Sequence, residues 1–182
     1  MPLDRREVGT PALDALSGAE HAEVLAKLLI SHPALRPEAE LAARRLLETA
    51  TVECIADEVV WALRDIALDD LAGRVGAIRG HGYVHENEAA WELLGEAIES
   101  FLTDLRRRAG LRHVGAATAV AIGIVAGLYQ ARDSEDGTVV AYAGEDALTE
   151  LADEVFKETT RLGVAIPIEA AGTHWPQWTA LG

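Results

Sequence analysis

The chain has 182 residues, 49% hydrophobic and 25% charged, a globular composition long enough to build a core without covalent staples. Its 30 acidic residues outnumber 16 basic ones, and the net charge of −14 repels nucleic-acid phosphates and anionic lipid headgroups. A lone cysteine, Cys54, excludes an intrachain disulfide and a thiolate metal cluster.

The opening segment MPLDRREVGT has no apolar h-region, so it does not read as a secretory signal, and the expected compartment is the cytoplasm. Residues 1–16 read as an N-terminal arm. Ser17 is placed to cap a first helix that runs to about Ser31, with Leu25, Leu28 and Leu29 inward and Pro33 beyond its end. Pro37 suits the first turn of a second helix, whose Ala39, Ala42, Ala43, Leu46, Leu47 and Ala50 form one stripe. A third helix runs from about Val52 to Ile66. Its Val52, Ile55, Ala56, Val59, Leu63 and Ile66 keep the i, i+3, i+4, i+7 rule. Within it, Cys54 and Trp61 read as core residues.

Residues 67–86 carry Gly73, Gly76, Gly80 and Gly82 and read as a long glycine-rich loop, with Asp69 and Asp70 capping a short helical turn. Loops longer than about 12–15 residues are uncommon in compact domains and often functional. The stretch RVGAIRGHGYVHENE presents Arg74, Arg79, His81, Tyr83 and His85 with no acid before Glu86. Glycines let backbone N–H groups converge and arginine forks match carboxylate or phosphate oxygens, so these residues form a candidate anion-binding or partner-binding site. The competing account is a surface loop whose arginines pair with Asp69 and Asp70. His81, His85 and Glu88 make an alternative ligand set for zinc or iron. It is not an HExxH site, because Ala89 stands where the second histidine belongs, and Gly82 spoils a shared helix face. Neither a metal nor a cofactor is expected.

A fourth helix covers about Asn87 to Ala109, burying Trp91, Leu94, Ile98, Phe101, Leu102 and Leu105. Gly110 closes it, and Arg106 to Arg108 oppose its dipole. The fifth, from about Leu111 to Arg132, is apolar nearly all round and belongs at the centre. Its sixteen uncharged residues from Val114 to Tyr129 fall short of the roughly 20 a spanning helix needs, so a buried core helix is expected, not a membrane span. Gly115, Ala119, Gly123 and Gly127 lie four apart in it. Such a strip admits another backbone closely, either a helix of the same chain or a second subunit. A sixth helix spans about Glu145 to Leu162, with Leu148, Leu151, Val155, Thr159 and Leu162 inward and Gly163 at its end.

Strand signal is confined to TVVAY at 138–142 and VAIPI at 164–168, the second demoted by Pro167. The tail over 164–182 reads as extended. Its Trp175 and Trp178 either fold back on the bundle or reach over a neighbouring subunit, since tryptophans are enriched at interfaces.

The expected architecture is all-α, one domain over 1–182, with about six main helices in antiparallel pairs. Enzymatic motifs are thin. Five acid pairs have the spacing of the metal-dependent helical pyrophosphohydrolases (Asp4/Glu7, Glu20/Glu23, Glu96/Glu99, Asp133/Asp136 and Glu150/Asp153), which is what random placement of 30 acids yields. The diiron Glu-x-x-His pattern is absent, as are GxxxxGK[ST], GxGxxG and GxSxG. The function expected is a non-enzymatic interaction or scaffold protein that self-associates. A dimer is favoured, with room for another protein partner and no nucleic acid or membrane partner. The alternative is a small-anion-binding or metal-dependent enzyme centred on residues 74–92.

Overall fold

The computed structural model describes residues 12–78, 82–132, 137–167 and 172, and it is an all-α structure. Its helices are Gly18–Ser31 (α1), Arg36–Glu48 (α2), Val52–Arg64 (α3), Leu68–Arg74 (α4), Glu86–Gly110 (α5), Val114–Ala131 (α6) and Ala147–Leu162 (α7). Short 3-10 turns occupy Ala12–Ala15, Pro33–Leu35 and Val139–Tyr142. The chain clusters into two compact units divided between Arg45 and Leu46.

In the first unit, Ser17 caps α1 through a reciprocal box with Glu20. The Ser17 hydroxyl accepts from the Glu20 N–H at 3.4 Å, and the Glu20 carboxylate accepts from the Ser17 N–H at 2.8 Å. That bond holds the Glu20 carboxyl below its ordinary value. Neither α1 nor α2 contains a buried residue. Leu25 and Leu28 of the expected α1 stripe are 51% and 46% exposed and Leu46 of the α2 stripe is 76% exposed, while Leu29, Ala39 and Leu47 are half-buried, so the inward stripes expected of these two helices are only partly covered. Helical period places leucines on one face, but something else must supply the covering surface.

The second unit is built around α6, whose buried residues include Val120, Ile122, Ile124, Val125 and Leu128. Leu94, Ile98, Leu102 and Leu105 of α5 pack into the same core, as do Leu148, Leu151 and Val155 of α7. From α3, Val59 and Leu63 join them. Among the described residues α6 is the one helix long and apolar enough to cross a membrane, with mean hydropathy 1.6, and 67% of it is buried inside the protein. Trp61 and Cys54 depart from expectation, since both lie on the outer face of α3, with Trp61 67% exposed. The stripe of Ala56, Val59 and Leu63 takes the inner face, and positions 54 and 61 fall opposite it.

Two helix ends stop in the same motif with different residues. At α7, Gly163 takes the left-handed conformation (φ 67°), and the Val164 N–H reaches back to the Thr159 carbonyl at 2.9 Å. At α5, Gly110 is the last helical residue and not the cap. Arg112 adopts φ 63°, and the His113 N–H donates to the Arg108 carbonyl at 3.0 Å.

The long loop expected over 67–86 is shorter than the glycine spacing implies. It holds α4, with Asp69 and Asp70 in the first turn, then an antiparallel hairpin of Gly76–Ile78 (β1) and Gly82–Val84 (β2). The register pairs Gly76 with Val84, Ala77 with Tyr83 and Ile78 with Gly82. TVVAY forms a 3-10 turn over Val139–Tyr142 instead of a strand, and residues 164–167 are not a strand either. Without a partner edge, β-favouring residues have no ladder to join.

Candidate functional site

Two surfaces combine exposed apolar side chains with a cavity. The first lies wholly within the first unit, between α1 and α2. Leu25, Leu28 and Leu29 of α1, Leu35 of the connecting turn, and Ala39 and Ala42 of α2 line a cavity of about 320 Å³, with Glu38 on its edge. Its walls are aliphatic, so it offers area to bury and little that would orient a small reactive group.

The second is in the second unit, where α4, the β1–β2 hairpin, the start of α5 and the Val139–Tyr142 turn converge. Leu68, Leu71, Ala72 and Val75 give a cavity of about 320 Å³ an apolar lining, which Glu86 and Tyr142 complete. A neighbouring cavity of about 390 Å³ shares Val75, Glu86 and Tyr142 and adds Tyr83, His85 and Asn87. The shared residues make these two lobes of one groove. The Tyr83 and His85 rings meet edge to face, with centroids 5.0 Å apart and planes at 61°. His85 occupies the N-cap position of α5 without a side-chain capping bond, and Glu86 and Glu88 fill the first turn behind it.

Of the residues singled out for anion binding, Tyr83 and His85 line this groove, whereas Arg74 does not. Its guanidinium donates to both oxygens of Glu96 on α5, at 2.8 and 2.6 Å, and lies 3.9 Å from Glu92. The fork raises the Arg74 pKa and lowers that of Glu96. Arg74 therefore ties α4 to α5, and its hydrogen-bonded partner is Glu96 in place of the expected Asp69 or Asp70. Arg79 and His81 lie outside the described residues. Among the described residues no group of three His, Cys, Asp or Glu side chains is placed to hold a metal ion, and His85 and Glu88 are in no such group.

The small-residue strip of α6 divides. Gly123 and Gly127 are buried beneath α3, where a Cβ on Gly123 would stand 2.6 Å from Ile55 Cβ and 2.9 Å from the Val52 carbonyl oxygen. Here the close approach is to a helix of the same chain. Gly115, at the outer end of the strip, is exposed, and a methyl group added there would meet nothing within 4 Å, while Ala119 is half-buried. Trp175 and Trp178 lie outside the described residues. The groove residues that sequence reasoning passed over are Leu68, Leu71, Val75 and Tyr142. The β-branched and aromatic residues flanking Gly80 and Gly82 were a hairpin signal, masked by strands of only three residues.

No family model matches the chain, and neither a curated protein nor a solved structure matches it.

Proposed function

We propose that this chain is a non-enzymatic interaction protein that self-associates as a dimer through the α1–α2 hairpin. The observation that carries the reading is a pair of helices with an aliphatic groove and no buried residue. Isolated helices of about 12–15 residues are marginal in water, so a hairpin of this size needs its apolar face covered. Burying a leucine fully contributes about 1.5–3 kcal/mol, and roughly half of that is still available at each of Leu25, Leu28, Leu35 and Leu41.

A second copy suits the surface electrostatically. The whole chain carries −14, but residues 12–45 hold five acids and four bases, so two copies meet here with little repulsion. Two hairpins supply four helices, the number a simple bundle needs, through one self-complementary patch. This reading sets the protein in the cytoplasm, with α6 as a core helix.

Light scattering on the eluting protein tests it. The expected mass is twice 19.4 kDa for the native chain, and 19.4 kDa for a variant carrying Leu25→Glu and Leu28→Glu. A native chain that stays at 19.4 kDa up to high micromolar concentration overturns the reading. So does a native monomer whose Tm falls on the same substitutions, because the leucines would then serve the chain's own fold.

A further inference from the structure

We propose that the groove between α4, the β1–β2 hairpin and the start of α5 binds a small organic ammonium ion, with the charged head at Glu86 and an apolar tail along α4. The groove has two lobes with a shared lining. Glu86, Tyr142 and Val75 line each of them, so a carboxylate, an aromatic ring and an aliphatic side chain meet at the junction. Leu68, Leu71 and Ala72 continue the aliphatic wall on one side, while Tyr83, His85 and Asn87 make the other side polar and aromatic. A ligand that satisfies both halves must be amphipathic.

The sign of its charge follows from the groups present. Among the described residues Glu86 is the carboxylate in the lining, and Arg74, the cation at the end of α4, is spent on Glu96. Tyrosine faces carry negative potential and favour a cation over their rings, and Tyr83 and Tyr142 remain 60% and 40% exposed. A helix N-terminus ordinarily welcomes an anion, but at α5 Glu86 and Glu88 already occupy the first turn. The chain's net −14 adds a general attraction for cations and opposes small anions. Lobes of about 390 and 320 Å³ match a ligand of modest size. The groove lies within one unit of the chain and does not depend on self-association.

The probe is n-hexylammonium, titrated into isotope-labelled native protein and followed by amide shifts. n-Hexanol and n-heptanoate carry the same hexyl tail without the positive charge. The expected result is saturable shifts at residues 68–75, 83–87 and 142, with a Kd of about 1 mM for a ligand this small. Hexanol and heptanoate should bind at least about threefold more weakly. Glu86→Gln should weaken hexylammonium by a similar factor and bring it close to hexanol, while Tyr142→Ala weakens it about two- to fivefold. Tyr83→Ala, on an exposed hairpin position, gives a second ring deletion should Tyr142→Ala disturb the fold. Three results overturn the proposal: shifts that do not saturate or fall elsewhere, hexanol or heptanoate binding as well as hexylammonium, or Glu86→Gln binding unchanged. Heptanoate binding more tightly than hexylammonium would overturn it and restore an anion site at residues 74–92.

Discussion

Gly127 of α6 lies so close to Val59 of α3 that a methyl group on the glycine would stand 2.6 Å from Val59 Cβ. It would also stand 2.7 Å from the Ala56 carbonyl oxygen, so the obstacle is partly backbone and cannot swing away. The two helices meet at the distance that glycine permits. Substitution by alanine gains about 1 kcal/mol of helix propensity but must push α3 off its seat, an overpacking cost of typically about 1–3 kcal/mol or more.

Gly127→Ala and Gly123→Ala are therefore expected to lower stability in chemical denaturation, despite the better helix former. Gly95→Ala, mid-helix in α5 with nothing within 4 Å of the added methyl, is expected to raise it by about 0.5–1 kcal/mol. Opposite signs for one chemical change separate packing from propensity. A rise in stability at all three positions would contradict the α3–α6 contact.

Arg112 carries the left-handed φ of 63° that Gly163 carries at the end of α7. A residue with a Cβ in that conformation costs about 1–2 kcal/mol, and Arg112 is exposed at the turn after α5. Arg112→Gly is expected to raise Tm by roughly 2–4 °C per kcal/mol recovered, read by calorimetry. An unchanged or lower Tm would show that the arginine makes a contact outweighing its strain.

Arg108 is the buried charge of α5, at 9% exposure, and it is fully committed. Its Nε donates to Asp104 at 2.8 Å, and a terminal N–H donates to the Leu47 carbonyl at the end of α2. Burial alone would raise the Asp104 pKa, but the bonds from Arg108 and Arg107 hold it below its ordinary value. Arg108→Met keeps the stem but strands the Leu47 carbonyl and leaves Asp104 with Arg107 alone, so a loss of about 1.5–3 kcal/mol is expected in urea unfolding. Arg107→Ala, with a side chain 57% exposed, should change stability by less than about 1 kcal/mol.

Glu158 on α7 accepts from Arg161 at 2.8 Å and from Arg106 of α5 at 2.6 Å, and its side chain is 12% exposed. These arginines, Arg161 foremost, pull its pKa down from 4.5 to about 2 against the opposing effect of burial. The folded carboxylate is the stronger acid, so its contribution is present above the unfolded value near 4.5 and is lost as pH falls toward about 2. Stability measured from pH 5 down to 2 should fall less steeply in Glu158→Gln than in the native chain. Identical slopes would mean that the pair does not hold α5 to α7 in solution.

Cys54 gives a direct check on the face α3 presents. It is exposed, so one thiol per chain should react with a bulky thiol reagent in native buffer, without denaturant. Reaction only after unfolding would place Cys54 in the core and turn α3 over.

Periodicity in the sequence carried α3, α5 and α7, because each has a partner within the fold for its apolar face, and all-round apolarity carried α6 to the centre. Val59, Leu94 and Leu151 each fall on the 3.6-residue stripe of their own helix, and all three end at 2% exposure or less. Ser17 and Gly163 marked helix ends for local reasons, a side-chain acceptor and a residue free to take positive φ, and local chemistry is visible in a linear string.

Tertiary structure decided the rest. Leu25 and Leu28 obey the same helical rule as Leu94, yet they remain about half exposed, since a pattern names a face and not the surface that covers it. The strip of Gly115, Ala119, Gly123 and Gly127 signals a close approach in the sequence, and only the packing of Ile55 on Gly123, with open space at Gly115, shows which of its members cannot grow. Arg74 has the sequence setting of an anion receptor, but its fork is taken by Glu96, twenty-two residues away. The groove joins Leu68, Glu86 and Tyr142 across more than seventy residues, a proximity that no local propensity encodes because it is set by how α4, α5 and the 139–142 turn pack.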